Sequence, residues 1–152
     1  MVYPIVALRP AHGLPIAAAV GTWAATYGMG VKVMVARRKY GIKYPKLYAE
    51  ASDGEAGYKF NCIQRGHQNT LENLPNTLVM CGITSVFYPA TGAAFLSLWT
   101  LGKVLYFVGY SSGDPAKRQS SGGPISYIGL LGAAGTCCKL AFDLLTSSAL
   151  AL

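Results

Sequence analysis

Four stretches of this chain approach the length and apolarity that a helix needs to cross a bilayer, and that pattern excludes most of what 152 residues could otherwise build. A membrane-spanning helix takes about 20 mostly apolar residues, because each residue rises about 1.5 Å through a hydrocarbon layer about 30 Å thick. The first stretch, 14–36, holds one charge, Lys32, close enough to its end to snorkel to the headgroups. The third, 93–110, holds Lys103, and the fourth, 125–145, holds Lys139 and Asp143. The second, 58–88, is divided: 78–88 is apolar, whereas 61–77 is dense with polar groups that cannot face lipid. As a single helix it exceeds the membrane thickness, so its first turns stand in the headgroup layer or in water, and Pro75 is expected to kink it. The predicted fold is all-α: one polytopic four-transmembrane-helix domain spanning 1–152.

Composition agrees with a lipid solvent. Charged residues make up only 12%, about half of what soluble domains carry, and mean hydropathy is +0.34. The net charge of +7 sits beside apolar runs with no nucleic-acid-binding motif, so nucleic acid is not a predicted partner. Cys62, Cys81, Cys137 and Cys138 show no CxxC spacing and no paired histidine, which predicts neither a disulfide framework nor a metal site. The adjacent Cys137 and Cys138 read as packing residues, with acylation as the lesser alternative.

Charge also predicts orientation. The first and third connections lie on one side of the membrane. They and the adjoining helix ends collect Arg37, Arg38, Lys39, Lys43, Lys46, Lys59, Arg65, Lys117 and Arg118, against Arg9 on the other side. The positive-inside bias places both connections in the cytosol. The positive cluster follows the first apolar run instead of preceding it, which argues for a retained helix over a cleaved signal peptide. Gly129, Gly132 and Gly135 in the fourth stretch, and Gly21, Ala25 and Gly28 in the first, recur at the spacing of close helix packing. A tight turn is expected over 89–92.

Ionisable groups within a spanning helix usually mark a functional site. Arg65, Asn69 and Glu72 stand at i, i+4 and i+7, on one helical face, and the structural alternative is a self-neutralised cluster in which Asn69 links Arg65 to Glu72. Tyr106 and Tyr110 make a second stripe at the same level, although interfacial tyrosines are commonly belt anchors. Arg118, Lys117, Arg37 and Arg38 are predicted to converge at that depth. Several cations around one carboxylate suit a ligand with several acidic groups and one amine. Glutathione has that pattern, and a guanidinium beside its thiol would stabilise the thiolate; Arg118, nearest the tyrosines, is the candidate.

The strings ARRKYGIKYP (36–45), FNCIQRGHQNTLE (60–72) and GKVLYFVGYSSGDPAKR (102–118) resemble the superfamily of membrane-associated proteins in eicosanoid and glutathione metabolism. The resemblance implies a four-helix subunit, a homotrimer, and glutathione bound as co-substrate near the cytosolic side between subunits. It implies glutathione contacts at Arg65, Asn69, Glu72, Tyr106 and Tyr110, and one at Arg37 lent by a neighbouring subunit; His67 is read as a satisfied interfacial histidine, with a glutathione contact as the alternative. It implies Arg118 as the thiolate-stabilising arginine, with Lys117 as fallback because the preceding loop is one residue longer than in leukotriene C synthase, and Arg38 as a second catalytic group on the lipid-substrate side. Asn73 and His67 stand where that synthase has tyrosine and glutamine.

The predicted activity is conjugation of glutathione to lipophilic electrophiles and reduction of lipid hydroperoxides, with leukotriene C synthesis as an additional activity. The predicted location is the endoplasmic reticulum membrane, with the outer mitochondrial membrane as the alternative. A non-catalytic lipid-binding scaffold of the lipoxygenase-activating type is the competing reading. An ion carrier ranks last, because 78–88 offers no ionisable relay.

Overall fold

The computed structural model describes residues 8–149 and shows no strand among them. Its helices are α1 (Gly13–Lys39), α2 (Gly54–Phe87), α3 (Pro89–Tyr110), the single-turn α4 (Lys117–Ser120) and α5 (Ile125–Ala149). Arg37, Arg38 and Lys39 occupy the last turn of α1, where cations oppose the exposed carbonyls of the helix end. Positions 89–92, expected as a turn, are the first turn of α3 instead. Pro89 opens that helix at a position where its missing N–H costs no bond, so Tyr88 alone separates α2 from α3. Helix α2 is continuous through Pro75, whose ring lies on an exposed face.

The four long helices pack side by side, and α3 touches each of the other three. Near the α1–α2 connection the core gathers Met29, Val33, Phe60, Ile63 and Phe107; toward the other end it gathers Cys81, Leu96, Trp99 and Ala133. Glycine lets α3 and α5 approach closely: a Cβ on Gly102 would lie 2.1 Å from the Ser126 nitrogen, and one on Gly129 would lie 2.3 Å from the Phe95 carbonyl. Gly132 meets the Phe95 ring in the same way, whereas Gly21, Gly28 and Gly135 have nothing within 4 Å. The predicted small-residue packing therefore holds within the chain at Gly129 and Gly132 and not at Gly21, Gly28 and Gly135. Cys137 Sγ reaches the Met80 carbonyl at 3.3 Å, but Cys138 is exposed, contrary to its predicted packing role.

Buried threonines satisfy their hydroxyls locally. Thr22, Thr70, Thr77 and Thr84 each donate to the carbonyl four residues back at 2.9–3.1 Å, so a polar side chain enters the bundle without a lone donor. Thr22 and Thr100 also meet across α1 and α3 at 2.7 Å.

Two of the four predicted spans, in α3 and in Ile125–Ser147, are long and apolar enough to cross a membrane by themselves. Helices α1 and α2 are long enough but too polar on average, since threonine, glycine and, in α2, charged residues dilute their apolar content. Large side chains nevertheless point outward from the bundle, including Trp23 and Tyr27 on α1 and Leu131 and Phe142 on α5. An apolar surface of that kind suits lipid or another protein better than water.

The ends of the bundle differ in charge. The Lys59 side chain lies beside Gly113, which puts the start of α2 and the α3–α5 connection at one end. Lys46 pairs with Glu50 at 3.0 Å and Lys59 with Glu55 at 2.7 Å at that end. The Glu50 hydrogen bond raises the pKa of the exposed Lys46.

Candidate functional site

Helical spacing puts Arg65, Asn69 and Glu72 on one side of α2, and the fold closes the first and last directly, with Arg65 Nη1 2.7 Å from Glu72 Oε1. Asn69 does not link them, as the cluster reading required. Its Oδ1 instead accepts a hydrogen bond from Lys103 Nζ on α3 at 2.9 Å. Lys103 is only 7% exposed, and its ammonium lies 5.3 Å from the Tyr106 ring centroid and 5.8 Å from that of Trp99. From Tyr106 the stripe continues to Tyr110, with centroids 5.7 Å apart and rings tilted by 53°. The Arg118 guanidinium lies 5.7 Å from the Tyr110 centroid and donates to the Pro115 carbonyl.

Two glycines set the position of α4, which carries Arg118. A Cβ on Gly109 would be 2.3 Å from the Lys117 carbonyl, and one on Gly123 would be 2.2 Å from the Arg118 carbonyl. The backbone of α4 is thus pressed between the end of α3 and the start of α5, which turns Arg118 back over Tyr110. A cleft of about 240 Å³ lined by Tyr48, Tyr58, Asn61, Cys62, Arg65, Tyr110 and Pro115 opens beside this group. Asn61 braces its wall by pairing with the backbone of Ala49 through both amide atoms, at 2.7 and 3.0 Å. Tyr48 donates to Gln68 Oε1 on the same side.

One chain therefore brings together Arg65, Asn69, Glu72, Tyr106, Tyr110 and Arg118. It does not bring Arg37, Arg38 and His67 to them, so the predicted convergence of the α1 cations with Arg118 is absent within a single chain. Arg37 is buried, donates to the carbonyls of Ile42, Lys46 and Leu47 at 3.4, 2.6 and 3.4 Å, and lies between the rings of Tyr44 and Phe60. The chain reverses around this guanidinium immediately after α1, which is why it points into its own loop. Arg38 is exposed beside a separate cleft of about 300 Å³ that also involves Lys43 and Tyr44. His67 stands two residues from Arg65, hence on another face of α2, where its ring packs against Gly30 of α1 and lines an apolar cleft of about 470 Å³ with Trp23, Tyr27 and Met34. The fallback Lys117 is exposed.

Lys103 was missed as a site residue. Its signal was present in the spacing, since it lies at i−3 and i−7 from Tyr106 and Tyr110, but it was read as a charge within a span, of use only to the last-ranked ion carrier. Tyr48 and Asn61 had no signal, because the loop geometry that uses them is not local. Among the described residues no group of three or more His, Cys, Asp or Glu could hold a metal ion.

A profile of the MAPEG family matches residues 15–138. The chain belongs to the MAPEG family. MAPEG members are membrane proteins; the family includes glutathione transferases and leukotriene C synthase as well as non-catalytic proteins of the lipoxygenase-activating type, and its proteins generally act as trimers that bind glutathione. The matched segment of this MAPEG chain includes all ten candidate site residues from Arg37 to Arg118, the fallback Lys117 among them.

Proposed function

We propose that this MAPEG chain is a membrane-bound glutathione transferase and glutathione-dependent lipid hydroperoxide peroxidase, similar to microsomal glutathione transferase type three. The observation that carries the reading is the single stripe on which the Arg65–Glu72 pair, Asn69, the two tyrosines and Arg118 lie together. A lipid-binding scaffold has no use for that set. Glutathione fits its chemistry: Arg65 and the Asn69 amide offer donors to carboxylate and peptide oxygens, Glu72 offers a carboxylate to the ammonium, and Tyr110 lines the cleft that Arg65 also lines.

In this reading Arg118 holds the glutathione sulfur as thiolate. With an aromatic halide the sulfur forms the new S–C bond and halide departs. With a lipid hydroperoxide the sulfur takes the distal oxygen as the O–O bond breaks; the lipid leaves as an alcohol after protonation, and a second glutathione converts the sulfenic acid to disulfide and water. Arg38 acts on the lipid-substrate side, and Arg37, as the family resemblance implies, is lent to the site of a neighbouring subunit; His67 lies on another face of α2 from the stripe of its own chain. We further propose a homotrimer whose four long helices all span the endoplasmic reticulum membrane, with the glutathione end in the cytosol.

The test is turnover of glutathione with a lipid hydroperoxide and with an aromatic halide by the detergent-purified protein, beside Arg118→Ala. Turnover that the variant loses is the expected result. Absence of both turnover and glutathione binding in the unsubstituted protein would exclude the enzyme reading. Crosslinking in mild detergent is expected to stop at three chains, and a dominant dimer would remove the shared site.

A further inference from the structure

The lysine that sequence reading left out of the site has an unusual set of neighbours. Among the described residues Lys103 makes no ion pair within 4.0 Å, although it is one of the least exposed charged side chains in the chain. Its one hydrogen bond goes to Asn69 Oδ1, and the rest of its ammonium is covered by the faces of Tyr106 and Trp99. An ammonium has three donors and no acceptor. The oxygen of the Asn69 carboxamide must therefore be the atom turned to α3, and Nδ2 must be the atom turned away. A carboxamide left to itself presents either atom with nearly the same shape. Among the described residues Nδ2 has no hydrogen-bond partner, and Asn69 is only half-buried, so this donor is not sealed inside the bundle.

We propose that Lys103 is a positioning residue: it holds Asn69 as a hydrogen-bond donor, so that Arg65 and Asn69 present donors one helical turn apart to a carboxylate or peptide carbonyl of the ligand. This rests on the glutathione reading and sharpens it. With Asn69 held in that sense, Glu72 is the one acceptor on the stripe of α2, and the ammonium end of the ligand is directed to it. The orientation of a glutathione molecule along the helix is then set by a lysine that need not touch it.

The test is a cycle of Lys103→Met, Asn69→Ala and the double variant in the detergent-purified trimer or monomer as it exists, with glutathione Kd from calorimetry and KM and kcat from turnover. Methionine keeps the unbranched shape and removes the donor. Lys103→Met is expected to weaken glutathione binding roughly ten-fold with kcat within about two-fold, because one hydrogen bond to a charged ligand group is lost. Asn69→Ala is expected to lose a similar factor, and the double variant no more than either alone, since both remove the same contact. Lys103→Arg, which retains the donor, should recover most of the affinity. Multiplicative losses in the double variant, or an unchanged Kd in Lys103→Met, would overturn the inference while leaving the glutathione reading intact. Absence of glutathione binding by the unsubstituted protein would overturn both. Should Lys103→Met fail to accumulate, Asn69→Asp takes its place: it pairs with Lys103 and presents no donor, so it must lose affinity by at least that factor, and unchanged affinity would overturn the inference.

Discussion

Arg65 Nη1 and Glu72 Oε1 lie 2.7 Å apart across two turns of α2, closing an ion pair within one helix face. Their side chains are 40% and 43% exposed, so the pair contributes at most about 1 kcal/mol to stability. A pair that holds the fold so weakly is free to exchange its partners for those of a zwitterionic ligand. Glu72→Gln is therefore expected to leave thermal stability in detergent nearly unchanged while raising the glutathione KM about ten-fold, as a carboxylate–ammonium contact is lost. A large fall in melting temperature with unchanged KM would make the pair structural.

Arg118 is expected to act on ionisation more than on binding. Arg118→Ala should abolish the ultraviolet thiolate band of the glutathione complex at neutral pH and slow turnover on the order of a hundred-fold. The sign of the pH effect follows. A guanidinium favours the anion and lowers the thiol pKa, so glutathione bound to the unsubstituted protein is expected to be ionised at neutral pH, with a rate that stays flat above it. The variant's rate should climb with pH toward the ordinary thiol value of about 8.5. Parallel pH profiles would remove Arg118 from the thiolate.

Gly109 tests how Arg118 is placed. A methyl group there meets the Lys117 carbonyl at 2.3 Å, and a backbone atom cannot move aside without shifting α4. Gly109→Ala should reduce turnover while the melting temperature falls by an amount equivalent to about 1–3 kcal/mol. Gly135→Ala, with open space around it, should do neither. Equal effects at the two glycines would count against the packing argument.

Arg37 predicts a structural phenotype within each chain. Losing its bonds to three loop carbonyls leaves acceptors without partners and should free the segment around Lys43 and Lys46, so Arg37→Met should be cut there by trypsin faster than the unsubstituted protein. Unchanged cleavage would show that the loop does not depend on this side chain.

Much of the fold was legible in the chain because helix formation is local. Apolar run length placed each long helix to within four residues at either end, and the i, i+4, i+7 spacing correctly put Arg65, Asn69 and Glu72 on one side. The start of α3 was misplaced because 89–92 was expected as a tight turn, whereas Pro89 at the first helical position starts the helix. Arg37, Arg38 and Arg118 were read as converging because they share a depth. Depth along the bilayer says nothing about direction around a helix, and in one chain Arg37 turns into its own loop while Arg118 turns back over Tyr110.

The sequence by itself determined the helices, the charge imbalance between the two ends and the stripe on α2, all of which depend on residue type and on spacing along one chain segment. The tertiary structure alone decided that Arg65 pairs with Glu72 directly, that Lys103 takes Asn69, and that α4 brings Arg118 to the tyrosines. Those contacts depend on how α2, α3 and α4 are rotated and pressed together. That rotation is set by glycine clearances and ring packing between segments far apart in sequence, which no local pattern records.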